Sequence, residues 1–262
     1  KMSFKIDKKN LEKYFYFIFL PKIKELSPLE LEQKIKVGDL LGIEEQKSKV
    51  ITNTSNFLNN KPSNHILLWG TRGMGKSTLI KSVVSYFNLK IKNPKKIYLI
   101  ELLNNSLDFL PEIVYFLNNY NKKFIIFIDD LSLELKNERF ILFKSLLEGS
   151  ILSNSRNIKF YVTSNQRHLS SKSSVKKEIN DLNEKEISDN LISLSDRFGL
   201  WVGFHGCSKS EYLEIVKHYL KKNSIQPSEN LYKLSIQWSL EKGNFSGRTA
   251  HQFVNNLIAS KN

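Results

Sequence analysis

The octapeptide GTRGMGKS at residues 70–77 decides the fold of this chain. It matches the pattern G-x-x-x-x-G-K-[ST], in which glycines let the backbone curl so that successive N–H groups face phosphate oxygens. A short apolar run at residues 66–69 precedes it, and apolar residues at helical spacing follow from residue 77 to residue 87. A strand before this loop and a helix after it are the context in which it binds phosphates, so the stretch predicts a nucleotide site. The predicted nucleotide-binding residues are Gly70, Thr71, Arg72, Gly73, Met74, Gly75, Lys76, Ser77 and Thr78.

Strands and helices are predicted to alternate on both sides of this loop. Residues 124–128 are five apolar residues without a break, which indicates a strand buried on both faces. Alternation of this kind predicts an α/β fold with a parallel five-stranded sheet flanked by helices. From residue 208 onward the pattern is purely helical, which predicts a small all-helical C-terminal lid. The five predicted strands cover residues 66–69, 97–100, 124–128, 158–162 and 200–204.

The N-terminal segment carries the aromatic and aliphatic run YFYFIFL at residues 14–20. We expect a helix here that packs onto the main domain or onto a partner. A secretory apolar segment is the alternative, but Pro21 and charged residues follow where small residues of a cleavage site would stand. The predicted organisation is therefore an N-terminal helix and linker (1–36), a nucleotide-binding domain (37–207) with an exposed polar insertion at 170–190, and the lid (208–262).

The composition indicates a basic globular protein. Among 262 residues, 40 are basic and 26 acidic, which gives a net charge of +14. Two interpretations stay open: Lys-rich usage imposed by an AT-rich genome, or a surface for nucleic acid or another polyanion. The single cysteine excludes a disulfide scaffold and a four-cysteine zinc module. Since no apolar run approaches the roughly 20 residues that span a bilayer, we expect a cytoplasmic location.

Polar side chains follow two of the predicted strands. Asp129 and Asp130 come directly after the buried strand, where a phosphate-loop enzyme holds Mg²⁺ and orients the attacking water. We assign Mg²⁺ to Ser77 and Asp129, and the role of general base to Asp130. The next strand ends in Thr163, Ser164 and Asn165, and the amide of Asn165 would face the same crevice. Capping of the following turns is the alternative explanation for both groups.

Two arginines, Arg197 and Arg248, lie at the boundaries of predicted elements. A guanidinium there can stabilise charge on a phosphoryl group during its transfer. An ordinary surface or structural role is the alternative for each.

The order of these motifs resembles that of an AAA+ ATPase over residues 37–262. Residues 37–43 resemble the adenine-side segment of that family, Asn165 its first sensor, Arg197 its arginine finger and Arg248 its second sensor. More narrowly, residues 129–132, 163–169 and 193–201 look like the uncharacterised AAA+ group filed as domain of unknown function 815.

The resemblance implies Mg²⁺-dependent ATP hydrolysis by a homo-oligomer in which Arg197 acts in trans. The turnover would drive the remodelling or loading of an unknown macromolecular partner. A slow or non-hydrolysing ATP-gated switch that binds nucleic acid is the alternative function, and a protein-interaction scaffold is a third. No Asn-Lys-x-Asp motif favours GTP over ATP.

Asp130 departs from the family pattern, in which most motors carry Glu. Its side chain is shorter by one methylene, and a displacement of about 1 Å can cost on the order of 10²-fold in rate. We therefore expect that hydrolysis could be slow.

Overall fold

The computed structural model describes residues 5–7, 9–30, 36–90, 96–131, 138–147, 156–165 and 197–260. These residues form a mixed α/β structure around one seven-stranded sheet. The strands are β1 (Tyr16–Leu20), β2 (Glu25–Leu29), β3 (Ile66–Gly70), β4 (Ile97–Leu102), β5 (Lys123–Ile128), β6 (Ile158–Ser164) and β7 (Leu200–Phe204). Their spatial order is β2-β1-β4-β5-β6-β3-β7, and every neighbouring pair except β1 with β2 is parallel. The α/β class and the parallel arrangement are confirmed, but the predicted count of five strands is wrong.

The two additional strands come from the N-terminal segment, so the predicted helix at residues 14–20 is also wrong. Phe17 and Phe19 are fully buried, whereas the residues between and beside them are partly exposed, which is the two-residue period of a strand. Because all seven residues of the run are apolar, the sequence conceals this period. β1 pairs in parallel with the edge of β4, and β2 returns antiparallel through the turn at residues 21–24.

Helices cover both faces of the sheet. Ile125 and Phe127 of β5 pack in one apolar cluster with residues of two helices, whereas Phe124, Ile126 and Ile128 pack in a second cluster on the opposite face. β5 is therefore buried on both sides, as its unbroken apolar run predicts. The helices of this part are α1 (Asn10–Lys13), α2 (Glu44–Leu58), α3 (Lys76–Lys90), α4 (Leu110–Asn118) and α5 (Glu138–Leu147). α2 and α3 contribute to the first cluster, and α4 and α5 to the second.

The C-terminal part is helical, as predicted, and has an apolar cluster of its own. It consists of α6 (Lys209–Lys222), α7 (Glu229–Glu241) and α8 (Gly247–Ala259). Ser208 and Ser246 each form a capping box at the start of a helix, which satisfies backbone N–H groups that would otherwise lack partners. The division of the chain at residues 37 and 208 stays a prediction, and the polar insertion at 170–190 lies outside the described residues.

Within the described ranges, no helix is both long and apolar enough to cross a bilayer. The expected cytoplasmic location stays a prediction.

Candidate nucleotide-binding site

The predicted phosphate loop joins the end of β3 to the start of α3, and two of its glycines are required by close contacts. Gly70 has a φ of +112°, and a Cβ added there would lie 2.2 Å from the carbonyl oxygen of Phe204. Gly73 has a φ of +78°, and its added Cβ would lie 2.8 Å from Ser246 Oγ. Positive φ and the lack of space mean that any side chain would be strained at either position. The second contact shows that the loop lies directly against the start of α8.

Lys76 is 6% exposed and donates hydrogen bonds only to neutral acceptors among the contacts described. Its Nζ lies 2.8 Å from the carbonyl oxygen of Gly70, 2.9 Å from that of Thr71 and 2.9 Å from Asn165 Oδ1. Burial lowers the pKa of Lys76 to about 8, although the carboxylates of Asp130 and Asp129 oppose this shift. A partly desolvated ammonium group at the mouth of a phosphate loop is stabilised when a polyanionic phosphate chain binds beside it.

This pKa predicts that nucleotide affinity falls as the pH rises through about 8. Bound phosphate favours the charged lysine, so binding takes up a proton above that pH, and the affinity should fall by up to about tenfold per pH unit. The measurement is the Kd of a fluorescent ATP analogue from pH 7 to pH 9.5. Lys76→Arg is the control, since its guanidinium stays charged and should give a flat profile. A wild-type Kd that is constant from pH 7 to pH 9 would contradict the prediction.

Three side chains from different elements meet at the carboxyl edge of the sheet. Ser77 Oγ donates a hydrogen bond of 2.5 Å to Asp129 Oδ1, and Thr163 Oγ1 donates one of 2.6 Å to the same oxygen. The Thr163 hydroxyl in turn accepts a hydrogen bond of 2.7 Å from the backbone N–H of Asp130. A hydroxyl and a carboxylate oxygen side by side are the hard ligands that Mg²⁺ takes, so Ser77 and Asp129 fit the predicted metal role.

Asp130 is held by two amides. Its backbone has a φ of 50°, which is the left-handed region, and Asn165 Nδ2 donates a hydrogen bond of 2.5 Å to its Oδ1. Asn104, which follows β4, donates a bond of 3.3 Å to the Asp130 carbonyl oxygen. The sequence predicted the proximity of Asp130 and Asn165 but missed Asn104, because nothing in its local pattern distinguishes it from other loop asparagines.

These residues surround a cavity of about 540 Å³, which is within the range of small-molecule sites. One wall comes from residues 39–43, the segment that resembles the adenine side of AAA+ proteins, and it contributes the apolar side chains of Leu40 and Ile43. A second wall comes from the lid, whose contributions the sequence predicted only at Arg248. The lid residues in this wall are Ile215, Tyr219, Lys222, Gly247, Arg248 and His251.

The lid contacts the phosphate loop and residues 39–43 directly. The backbone N–H of Arg248 donates a hydrogen bond of 3.0 Å to the carbonyl oxygen of Gly73. Lys222 Nζ lies 2.6 Å from Asp39 Oδ2, and the rings of Tyr219 and His251 lie 5.0 Å apart in the same wall. The polar atoms around the loop fit the phosphates of a nucleotide. The apolar and aromatic groups of the other two walls fit its base.

Arg197 is not among the residues that line this cavity. It is exposed and precedes β7, which begins at Leu200, so it lies beyond the amino end of the sheet. The cavity lies at the carboxyl ends of the strands, about 17 Å away along a five-residue strand. The structure therefore separates Arg197 from the site of its own chain.

Residues 12–261 match the family described as "Protein of unknown function (DUF815)". The chain belongs to this family. No curated protein sequence matches the chain significantly.

Solved structures of AAA+ proteins share the fold. The chain is similar to RuvB from Thermotoga maritima, described as a Holliday junction branch migration motor, with a TM-score of 0.54 and 16% identity over 82% of this chain and 62% of that one. It is also similar to Orc1 from Aeropyrum pernix in complex with DNA, with a TM-score of 0.59 and 14% identity over 88% and 66% of the two chains. Domain III of the replication initiation protein DnaA from Thermotoga maritima gives a TM-score of 0.58 and 14% identity over 89% and 91%. The chain thus spans about 62% of the length of the RuvB structure, and at these identities the likeness establishes the AAA+ fold alone.

Proposed function

We propose that this member of the DUF815 family binds and hydrolyses ATP in a Mg²⁺-dependent reaction. One observation carries the proposal: five polar residues line a single cavity and are joined there by hydrogen bonds. They are Lys76, Ser77, Asp129, Asp130 and Asn165. Release of phosphate from ATP, measured with and without Mg²⁺, tests it. Absence of ATP binding at millimolar concentration would reject it.

Each residue has a role that its contacts permit. The loop N–H groups and Lys76 would bind the phosphates, and Ser77 and Asp129 would hold Mg²⁺, which supplies positive charge against the phosphate oxygens. Asp130 would accept a proton from the attacking water, and Asn165 would fix the position of the Asp130 carboxylate. Arg248 would bring positive charge from the lid to the phosphates, since its backbone already contacts the loop.

We further propose that the protein acts as a homo-oligomer in which Arg197 completes the site of a neighbouring subunit. Its location at the amino edge of the sheet, away from its own cavity, supports action in trans. Arg197→Ala is expected to lower kcat by about 10³-fold, the smaller of the effects typical for an arginine finger. ATP turnover per subunit in the wild type should rise with protein concentration.

A mixing experiment separates this role from a structural one. Arg197→Ala and Lys76→Ala should each be inactive alone. An equimolar mixture should recover about a quarter of wild-type turnover, because a quarter of the interfaces then combine an intact loop with an intact arginine. An inactive mixture together with a concentration-independent wild-type rate would exclude action in trans.

A slow or non-hydrolysing switch is the second candidate, and the environment of Asp130 favours it. The short carboxylate is already hydrogen-bonded to Asn165 at 2.5 Å, so it has less freedom to reach a water molecule. Single-turnover measurement of phosphate release distinguishes the two functions. Tight ATP binding with no release over many minutes would identify the switch.

The partner is proposed to be nucleic acid or a nucleic-acid complex. The net charge of +14 supports this class, as does the likeness to RuvB, a Holliday junction branch migration motor, and to Orc1, whose structure is a complex with DNA. Remodelling or loading of that partner would be the work that ATP turnover drives.

A further inference from the structure

The amino ends of three adjacent strands, β4, β5 and β6, carry a cluster of cations opposite the nucleotide cavity. We call it the cationic edge. Residues 119–123 and 156–159, which lead into β5 and β6, contain no Asp or Glu. The cationic edge consists of Lys96, Lys122, Lys123, Arg156 and Lys159.

Hydrogen bonds from side chains to backbone carbonyl oxygens connect the loops of this cluster. Lys123 Nζ donates a bond of 2.8 Å to the carbonyl oxygen of Arg156, which joins the two loops. Asn157 Nδ2 donates to the carbonyl oxygens of Leu117 at 3.1 Å and Tyr120 at 2.9 Å. The two loops that lead into β5 and β6 are thus joined before any ligand binds, which lowers the entropy cost of binding.

Two of the lysines share one aromatic ring. Nζ of Lys123 lies 4.7 Å from the centroid of Phe57, and Nζ of Lys159 lies 5.9 Å from it. Burial and then the charge of Lys123 lower the pKa of Lys159, and no ion pair compensates Lys159 within the described part of the chain. Like charges kept together in this way oppose folding, and an anionic ligand would relieve the repulsion.

We propose that the cationic edge binds the phosphate backbone of nucleic acid. Neighbouring strands lie about 4.8 Å apart, so the three amino ends span about 10 Å, a length of duplex that carries about six phosphates. The five cations of the edge match this density of phosphates, so the nucleic-acid partner proposed above is the ligand that we assign to it, and an acidic polypeptide is the alternative that the test excludes.

This site deepens the proposed function, because it places the nucleic-acid partner on a surface distinct from the ATP cavity. β5 connects the two: Lys123 begins it, and Asp129 follows its last residue. ATP and nucleic acid can therefore occupy the protein at the same time.

The test is fluorescence anisotropy of a labelled 20-nucleotide single strand, and of the matching duplex, from 50 to 300 mM salt without ATP. The variant Lys123→Gln/Lys159→Gln is expected to bind the single strand about tenfold more weakly at 100 mM salt, with a slope of log affinity against log salt that is smaller by about 1.4. The control is Lys209→Gln/Lys233→Gln, which removes the same charge from exposed positions on the lid and should change neither value by more than about twofold. Thermal unfolding and binding of a fluorescent ATP analogue on both variants verify the fold.

Equal losses in the two double variants, or no binding by the wild type at 50 mM salt, would overturn the proposal. Polyglutamate that competes as well as the single strand at equal charge would overturn it in favour of an acidic protein partner. Nucleic-acid binding at the edge without ATP turnover would reject only the ATPase function, and turnover without edge binding would reject only this site.

Discussion

Lys76→Ala is expected to abolish ATP turnover, with kcat/KM lower by at least about 10²- to 10³-fold, the range for loss of one preorganised charge at a reacting group. The variant loses the ammonium group that lies between the loop carbonyls and Asn165. Because burial holds the pKa of Lys76 near 8, the folded protein also loses an unfavourable buried charge. The Tm of the variant without nucleotide should therefore not fall below that of the wild type, whereas stabilisation by ATP should vanish. Phosphate release and thermal unfolding with and without ATP are the measurements.

Lys233→Ala is the matched control for Lys76→Ala, since Lys233 is an exposed lysine on α7. It should retain wild-type turnover and the wild-type rise in Tm with ATP. Turnover by Lys76→Ala at the wild-type rate would overturn both the proposed site and the proposed function.

Thr163→Val is expected to lower kcat about 10²-fold while the Kd for ATP changes little. The Thr163 hydroxyl bonds both to Asp129 and to the backbone N–H of Asp130, so its loss frees the two acids to shift, and about 1 Å of misplacement is enough for such an effect. The Mg²⁺ concentration needed for half-maximal turnover should rise, because Asp129 loses the bond that fixes it. The unpaired N–H of Asp130 should also cost about 1–3 kcal/mol of stability.

Thr163→Ser distinguishes a positioning role from simple destabilisation. The serine hydroxyl can make both bonds, so turnover and the Mg²⁺ requirement should return to within about threefold of the wild type, the usual scatter of such effects. A Thr163→Val enzyme that is destabilised but has unchanged Mg²⁺ dependence and kcat would show that Thr163 is only structural.

Local patterns were enough to predict most of the sheet. The five core strands lie close to their predicted positions and the C-terminal part is helical as predicted, because burial on both faces and helical spacing of apolar residues are encoded in consecutive residues. The N-terminal strands were missed for the opposite reason. Every residue at 14–20 is apolar, so the alternation of buried and exposed positions exists only after β1 has paired with β4.

The candidate site likewise contains residues that local patterns predicted and residues that they could not predict. The phosphate loop, Asp129, Asp130 and Asn165 could be predicted because each ends or begins an element, and parallel strands bring their carboxyl ends to one edge. Tyr219, Lys222 and His251 could not, since they lie more than a hundred residues away on amphipathic helices whose polar faces look alike in sequence.

The sequence by itself determined that this chain folds as an α/β phosphate-loop protein with a helical lid. The glycines of the loop, the spacing of apolar residues in helices and the apolar runs of strands are all local features of the chain. Only the tertiary structure decided which lid residues close the cavity, that Arg197 lies away from its own site, and that lysines from separate loops form one cationic edge. Those arrangements depend on contacts between residues distant in the chain, which arise from the packing of whole elements rather than from any local pattern.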